Sequence, residues 1–215
     1  MNDDFNLIRI SDEMRAQLRG LAQQRAVSVS DIMQEALGEY LKTRETGINY
    51  VDVIQSIESA LRGAGQFATS ADPSGLVLFI KSPLRRVHRP ELKYEVRIRH
   101  GDRSSVGRLN VVLRSHDMET IRSFAAFVDH WMALERNYLA RNQTGQIVYW
   151  TDTDYFGRQI FCPTAGDGEQ LIGEAISNYI HVFDELLKYY FANWSYGQSI
   201  EPLYLARLKA GKLTI

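Results

Sequence analysis

The segment FNLIRISDEM changes its hydrophobic period abruptly, and this change limits what the start of the chain can fold into. Residues 5–10 alternate with a period of two, which predicts a β-strand with two different faces. One face carries the even-numbered residues, and the other carries Phe5, Leu7 and Arg9. Ser11 then fits the N-cap of a helix whose first turn is acidic. The sequence therefore predicts a strand that passes into a helix without a loop.

Two short helices are expected after this strand. Apolar residues at helical spacing mark the first, and they are Met14, Leu18, Leu21 and Ala22. In the second, Ser28 and Asp31 have the spacing of a capping box, and Gly47 ends the helix. Its apolar face consists of Ile32, Met33, Ala36, Leu37, Tyr40 and Leu41. Because so short a unit buries little apolar surface and its strand has no partner, we expect two copies to pair their strands antiparallel.

This order of one strand and two helices resembles the ribbon-helix-helix repressors, the Arc and MetJ superfamily, over residues 5–45. The segments that carry the resemblance are RISDEM at the strand-to-helix junction, LAQQRA at the end of the first helix and SVSDIMQEAL at the start of the second. The resemblance implies that residues 1–46 form a dimerisation domain that binds double-stranded DNA as a homodimer. Two such dimers could pair into a tetramer on DNA.

In that family the ribbon lies in the DNA major groove, and its outward side chains contact base edges. Carried over to this sequence, the base-contacting residues are Phe5, Leu7 and Arg9. Arg9 can contact guanine through two hydrogen bonds, whereas the two apolar residues depart from the usual polar pattern. The backbone amides of Ser28, Val29 and Ser30 would hold a phosphate. The domain is acidic, however, with a net charge of −2 over residues 1–46, so a role in dimerisation alone stays open.

The rest of the chain, residues 50–215, is expected to form an α+β domain with a mainly antiparallel sheet. The predicted order is α-β-β-β-α-β-β-α, with helices on one face of the sheet. The helices begin at Tyr50, at Asp117 (ending near Arg141) and at Asp167. The strands are LVLFIKS, ELKYEVRIRHGD, VGRLNVVLRS and the two halves of a hairpin, QIVYWTDTDYFGRQIFCP.

This element order resembles the type III secretion chaperone-like or YbjN-like fold, over residues 50–193. The segment WMALERNYLARNQTGQIVYWTDTD is the most suggestive part of the resemblance. The resemblance implies a domain that dimerises and holds segments of a partner protein, without catalytic chemistry of its own.

Positive charge is concentrated in residues 81–114, which hold ten basic and three acidic side chains in a chain of net charge −1. Part of this set lies in a predicted loop and part on one predicted sheet face: Arg85, Arg86, Arg89, Lys93, Arg97, Arg99, Arg108 and Arg114. Such a surface could bind DNA beside an operator, an acidic protein segment or an anionic ligand. A solvated face with ion pairs, such as Glu95 with an arginine, is the alternative.

Residues that could carry chemistry are few and scattered. The histidines His88, His100, His116, His130 and His181 show no metal-binding spacing, so we expect no metal and no cofactor. A nickel-binding second domain, which some ribbon-helix-helix regulators have, stays a minor alternative. Asp152 and Asp154 form the nearest approach to a carboxylate pair, but they occupy a predicted hairpin turn. We therefore expect no enzymatic activity.

The location of the protein is expected to be cytoplasmic. A single cysteine, Cys162, cannot form an internal disulfide and suits a reducing compartment. The acidic residues Asp3 and Asp4 stand where a signal peptide would be basic, and charged residues interrupt every long apolar run. The sequence thus predicts no export and no membrane association.

Aromatic residues are frequent in the last predicted helix and the segment after it. They share helical spacing and are Tyr179, Phe183, Tyr190, Phe191, Trp194 and Tyr196, with Leu187 among them. We expect most of them in the core and two or three at an interface.

These patterns favour a homodimeric, sequence-specific DNA-binding transcriptional regulator of the repressor type, with a C-terminal domain that receives a signal, most plausibly from another protein. The alternative is a protein-binding adaptor or chaperone that uses the ribbon-helix-helix only to dimerise. A third hypothesis is a sensor that binds a small effector.

Overall fold

A computed structural model describes residues 10–46, 48–84, 90–98, 105–139, 147–161, 168–193 and 199–215 of the chain. The chain divides into two compact units, with the boundary after residue 47. Within the described ranges, every helix is too short or too polar to cross a lipid bilayer.

The first unit contains two capped helices, α1 (Asp12–Arg25) and α2 (Val29–Thr46). The Ser11 hydroxyl accepts a hydrogen bond from the Met14 amide at 3.2 Å, so the predicted N-cap of α1 is confirmed. At α2 the Ser28 hydroxyl accepts from the Asp31 amide at 3.1 Å, while the Asp31 carboxylate accepts from the Ser28 amide at 3.0 Å. The predicted capping box is therefore confirmed, and both helix starts follow from local sequence.

The turn between the two helices contains a residue in a left-handed conformation. Ala26 has φ 53° and ψ 39°, and its amide donates to the Gln23 carbonyl at 3.4 Å. The next amide, of Val27, donates to the Ala22 carbonyl at 3.1 Å. This pair of hydrogen bonds is a Schellman motif, which ordinarily places glycine where Ala26 stands. The backbone is strained here because an L-residue with a Cβ atom disfavours positive φ.

The first unit buries very little apolar surface by itself. Among its described side chains, Ala22 and Ile32 are buried, whereas Met14 is 52% exposed and Leu37 is 45% exposed. Leu21 and Val27 are exposed as well. The predicted strand, residues 5–10, lies outside the described residues except for Ile10, so the ribbon itself is not described.

The second unit is built on a six-stranded antiparallel sheet with the strand order β1-β2-β3-β4-β6-β5. The strands are β1 (Ala68–Ala71), β2 (Val77–Pro83), β3 (Glu91–Ile98), β4 (Ser105–Arg114), β5 (Tyr149–Asp152) and β6 (Tyr155–Phe161). The helices are α3 (Tyr50–Gly63), α4 (Met118–Leu134), α5 (Glu169–Asn193) and α6 (Glu201–Lys209), and a π-helical turn, Glu135–Leu139, follows α4. The predicted α+β class with an antiparallel sheet is confirmed.

Two elements were not predicted, and one helix changes its type near its end. β1 has the sequence ATSA, which lacks apolar alternation, and it forms because a turn at Asp72 directs it against β2. In that turn the Asp72 carboxylate accepts a hydrogen bond from the Val77 amide at 3.0 Å. α6 has a proline in its first turn and is only weakly amphipathic. Its sequence therefore does not indicate a helix, and its pattern is that of an irregular tail. The helix expected to reach about Arg141 is α-helical to Leu134 and continues as a π-helical turn to Leu139, and its expected end lies outside the described residues.

One face of the sheet packs on the helices and forms the core. The apolar residues of β3 and β4 that face inward are buried as predicted, and they are Leu92, Tyr94, Val96, Ile98, Leu109, Val111 and Leu113. α5 crosses this face, and at Gly173 it approaches α3 so closely that an added Cβ would lie 2.5 Å from the Ser56 Cβ. Tyr179, Phe183, Tyr190 and Phe191 of α5 are buried, so their prediction as core is confirmed, whereas Tyr189 is partly buried. Trp194 and Tyr196 lie outside the described residues, and the expectation that two or three of these aromatic residues form an interface stays a prediction.

The left-handed residue between α1 and α2 gives a test of the first unit. Ala26→Gly should stabilise this unit by about 0.5–1 kcal/mol, because glycine adopts positive φ without steric cost. The matched control is Ala16→Gly at an exposed position inside α1, which should destabilise it by about 1 kcal/mol. Urea unfolding at one fixed protein concentration measures both. Changes of the same sign would show that Ala26 is not in this conformation.

Candidate functional site

The residues expected to read DNA bases, Phe5, Leu7 and Arg9, lie outside the described residues. The structure therefore says nothing about the face that the predicted ribbon would present. What it does describe is the helix pair that would carry the ribbon, with the helix starts at Ser11 and Ser28.

The expected phosphate site at the start of α2 is only partly available. The Ser28 amide already donates to the Asp31 carboxylate, and the Asp31 amide donates to the Ser28 hydroxyl. Hydrogen bonds from the Ser28 hydroxyl and amide lower the pKa of Asp31, so this exposed carboxylate is charged at neutral pH. An anion thus occupies part of the helix start, and a phosphate could reach only the amides of Val29 and Ser30.

Half of the predicted basic surface can be placed. Arg85, Arg86, Arg89 and Arg99 lie outside the described residues. Strand register puts the others, Lys93, Arg97, Arg108 and Arg114, on the face of the sheet opposite the core, which we call the outer face. Arg97 and Arg108 are direct cross-strand neighbours, as are Lys81 and Lys93.

Acidic residues on the outer face offset part of this positive charge. Glu95 accepts a hydrogen bond from Arg97 on the same strand, and Glu91 lies 4.0 Å from Lys81. Glu95 thus pairs with an arginine, as the solvated alternative proposed, although along one strand instead of across two. Lys93 and Arg114 make no ion pair with the described residues. The described outer face is therefore mixed in charge with a basic excess.

A stacked arginine and tryptophan stand out on the outer face. The guanidinium carbon of Arg108 lies 3.8 Å from the ring centroid of Trp150, in cation–π geometry. The same guanidinium donates to the Tyr155 hydroxyl, which itself donates to Asn110 at 2.8 Å. We call Arg108, Trp150 and Tyr155 the arginine–tryptophan platform. Trp150 is 38% exposed. The platform is therefore held by hydrogen bonds to the sheet and is open to solvent.

A glycine makes room for the platform. Gly157 lies opposite both Asn110 and Trp150 in the sheet register. A Cβ added there would lie 2.6 Å from the Tyr155 hydroxyl and 3.1 Å from Arg108 Nη2. Arg108 can therefore cross the sheet to Trp150 only because residue 157 has no side chain. The sequence prediction grouped Arg108 with the other cations and missed Trp150, because the pairing of β4 with β6 was not known.

A buried ion pair lies on the opposite face of the sheet. Arg158 on β6 and Glu135 at the π-helical turn are both fully buried, with Nε and Oε1 3.1 Å apart. Tyr179 donates to Glu135 at 2.8 Å, and Trp131 donates to Tyr179 at 2.8 Å. Burial, and then the Glu135 carboxylate, raise the pKa of Tyr179 well above its usual value, so its hydroxyl remains a donor. This cluster of buried side chains is shielded from solvent, and its role is structural.

The minor alternatives, a metal site and a catalytic carboxylate pair, gain no support within the described residues. No group of three or more histidine, cysteine or acidic side chains in those ranges could hold a metal. His130 and His181 contact the Ala126 carbonyl and Gln66, respectively. Asp152 accepts from the Thr153 amide at 2.7 Å in the turn between β5 and β6, so the prediction of a turn there is confirmed.

Comparison with protein-family models, with curated proteins and with solved structures finds no match to this chain. The functional argument therefore depends on the residues and geometry described above.

The role of Gly157 can be tested without unfolding the protein. Gly157→Ala should displace Arg108 from Trp150 while changing the free energy of unfolding by less than about 1 kcal/mol, because the atoms it meets are the ends of flexible side chains. NMR measures the ring-current shift of the Arg108 side-chain protons. That shift should disappear in Gly157→Ala, as it must in Trp150→Ala. An unchanged shift in Gly157→Ala would contradict the described geometry.

The buried ion pair of Glu135 and Arg158 allows a second test. Glu135→Gln should destabilise the second unit by about 3–5 kcal/mol, because it leaves the Arg158 charge buried without a counter-ion. The double variant Glu135→Leu/Arg158→Met should lose less stability than Glu135→Gln alone, since it removes both charges. Urea unfolding of the full chain measures both. A double variant less stable than the single one would show that Arg158 acts mainly through other contacts.

Proposed function

We propose that this protein is a homodimeric, sequence-specific DNA-binding transcriptional regulator of the cytoplasm. In this proposal the N-terminal unit docks a two-stranded ribbon in the major groove, with Arg9 contacting a base. The amides of Val29 and Ser30 contact a phosphate. The second unit receives a signal from a partner protein.

The observation that carries the proposal is the exposed apolar surface of the first unit. Met14, Leu21 and Leu37 are exposed on two helices with capped starts, and among the described side chains of this unit only Ala22 and Ile32 are buried. A unit of this size needs a further apolar surface to be stable. A second copy supplies that surface and also supplies a pairing partner for the strand-like segment before Ser11. Paired strands carried by such helices are the arrangement that ribbon-helix-helix repressors use.

The outer face of the second unit supports a role in partner binding. Arginine, tryptophan and tyrosine are the residues most often found at energetically important positions of protein interfaces. The platform combines these three, and the exposed Phe79 lies in the same cross-strand row as Trp150. The basic excess of the outer face favours a partner segment that is acidic. This surface also favours the second candidate function, an adaptor that dimerises through its N-terminal unit without binding DNA.

DNA binding tests which of the two functions is present. Selection of duplexes from a random-sequence library, followed by titration of the selected sequence, should give an affinity that falls steeply with salt. Arg9→Ala should lower the preference for the selected sequence by about tenfold or more, because one bidentate base contact is lost. Arg122→Ala, an exposed arginine on α4, is the matched control and should leave that preference unchanged.

A second substitution tests the phosphate contact. Val29→Pro removes one backbone N–H at the first helical position, where proline is tolerated. It should weaken binding to all duplexes alike, selected or not, while the helix content stays the same by circular dichroism. Retention of no duplex at low salt by the wild-type protein would contradict DNA binding and favour the adaptor.

A further inference from the structure

A cleft of about 630 Å³ opens at the end of α5 in the second unit. The described residues that line it are both apolar and polar, and they are Gly65, Gln66, Pro83, Leu84, Lys188, Phe191 and Ala192. This volume lies within the range of small-molecule sites, which typically combine apolar walls with a few fixed polar groups. Lys188 is the single cation among these lining residues.

A buried polar cluster fixes the Lys188 ammonium at the cleft. Its Nζ lies 2.7 Å from Asp184 Oδ2 and 2.7 Å from the Ser82 hydroxyl, and both partners are fully buried. Asp184 also accepts a hydrogen bond from the Tyr94 hydroxyl at 2.9 Å and from the Gln66 amide at 3.4 Å. α5 supplies Asp184 and Lys188 one turn apart, while β2 and β3 supply Ser82 and Tyr94. The lysine is therefore held on two sides by the core.

Two ion pairs of the second unit contain a fully buried carboxylate, and these two differ in their access to solvent. Glu135 and Arg158 are both completely buried, whereas the Lys188 side chain is 33% exposed above a buried Asp184. An ammonium group has three N–H donors, and Asp184 and Ser82 account for two of them. Because Lys188 lines the cleft and its side chain is partly exposed, the third donor is left for a ligand that binds there. An arrangement of this kind offers one charged, positioned donor to a partly apolar recess.

The charges of the described residues around the cleft limit the kind of ligand that can bind. Lys188 and Asp184 together are neutral, and a carboxylate bound to Lys188 would stand close to the Asp184 carboxylate. A neutral carbonyl oxygen accepts the same hydrogen bond without adding a second negative charge. The apolar side chains of Leu84 and Phe191 favour a hydrocarbon body on such a ligand.

We propose that this cleft binds a small, uncharged carbonyl compound with an apolar body, whose oxygen accepts a hydrogen bond from Lys188. The bound compound would act as a small-molecule signal for the second unit. This proposal does not depend on whether the first unit binds DNA.

The test is a titration of the full chain with methyl ketones of increasing chain length and with carboxylates of the same chain lengths. NMR of the Leu84 and Ala192 methyl groups follows binding. The ketones should bind saturably, more tightly as the chain lengthens, and more tightly than the matching carboxylates. Absence of saturable ketone binding, or a preference for the carboxylate of equal length, would overturn the proposal.

Two variants locate the site. Ala192→Trp fills the cleft and leaves the polar cluster intact, whereas Asp184→Asn/Lys188→Met removes both charges together so that neither remains buried alone. Each should weaken ketone binding by about tenfold or more. Ala133→Trp, on an exposed position of α4, adds the same side chain elsewhere and should leave affinity unchanged. Thermal unfolding shows that each variant is folded, and ketone binding that survives in folded Ala192→Trp would place the ligand elsewhere.

Discussion

The second unit depends on a sheet that buries one face and leaves the other open. Apolar residues of β3 and β4 alternate with charged ones, so helices can pack on one side only. α5 covers that side, and two ion pairs, Arg158 with Glu135 and Lys188 with Asp184, lie within or beside the core. The open side is left to polar and aromatic residues, of which the arginine–tryptophan platform is the most firmly held. Both candidate binding regions of this unit, the platform and the cleft, follow from that division.

The first unit differs from the second because it has capped helix starts but few buried apolar side chains among its described residues. Its caps and its Schellman turn fix the angle between α1 and α2 through hydrogen bonds between near neighbours. Four of its described apolar side chains, Met14, Leu21, Val27 and Leu37, are exposed in a single chain, and such a surface in a small unit is typical of an obligate interface. The proposal of a homodimer joins these facts to the strand-like pattern of residues 5–10.

Features set by neighbours in sequence could be predicted, and features set by distant contacts could not. The caps at Ser11 and Ser28, the turn at Asp152 and the inward residues of β3 and β4 depend on local spacing, and they were predicted. β1 was missed because ATSA becomes a strand only by pairing with β2. The platform and the Lys188 cluster were missed because they join residues 42 and 106 positions apart, Arg108 with Trp150 and Ser82 with Lys188. The phosphate site at the start of α2 stays a prediction, and the hydrogen bond from the Ser28 amide to Asp31 could not be separated from it by spacing alone.

The account depends most on whether two chains meet at their N-terminal strands. A spin label at position 7, introduced as Leu7→Cys with Cys162→Ser, would report this directly by pulsed electron paramagnetic resonance of the full chain. Paired ribbon strands lie about 5 Å apart, so the account predicts one short distance between labels, which disappears when labelled protein is mixed with excess unlabelled protein. Labels without any dipolar coupling between subunits, at concentrations where the protein is assembled, would contradict it.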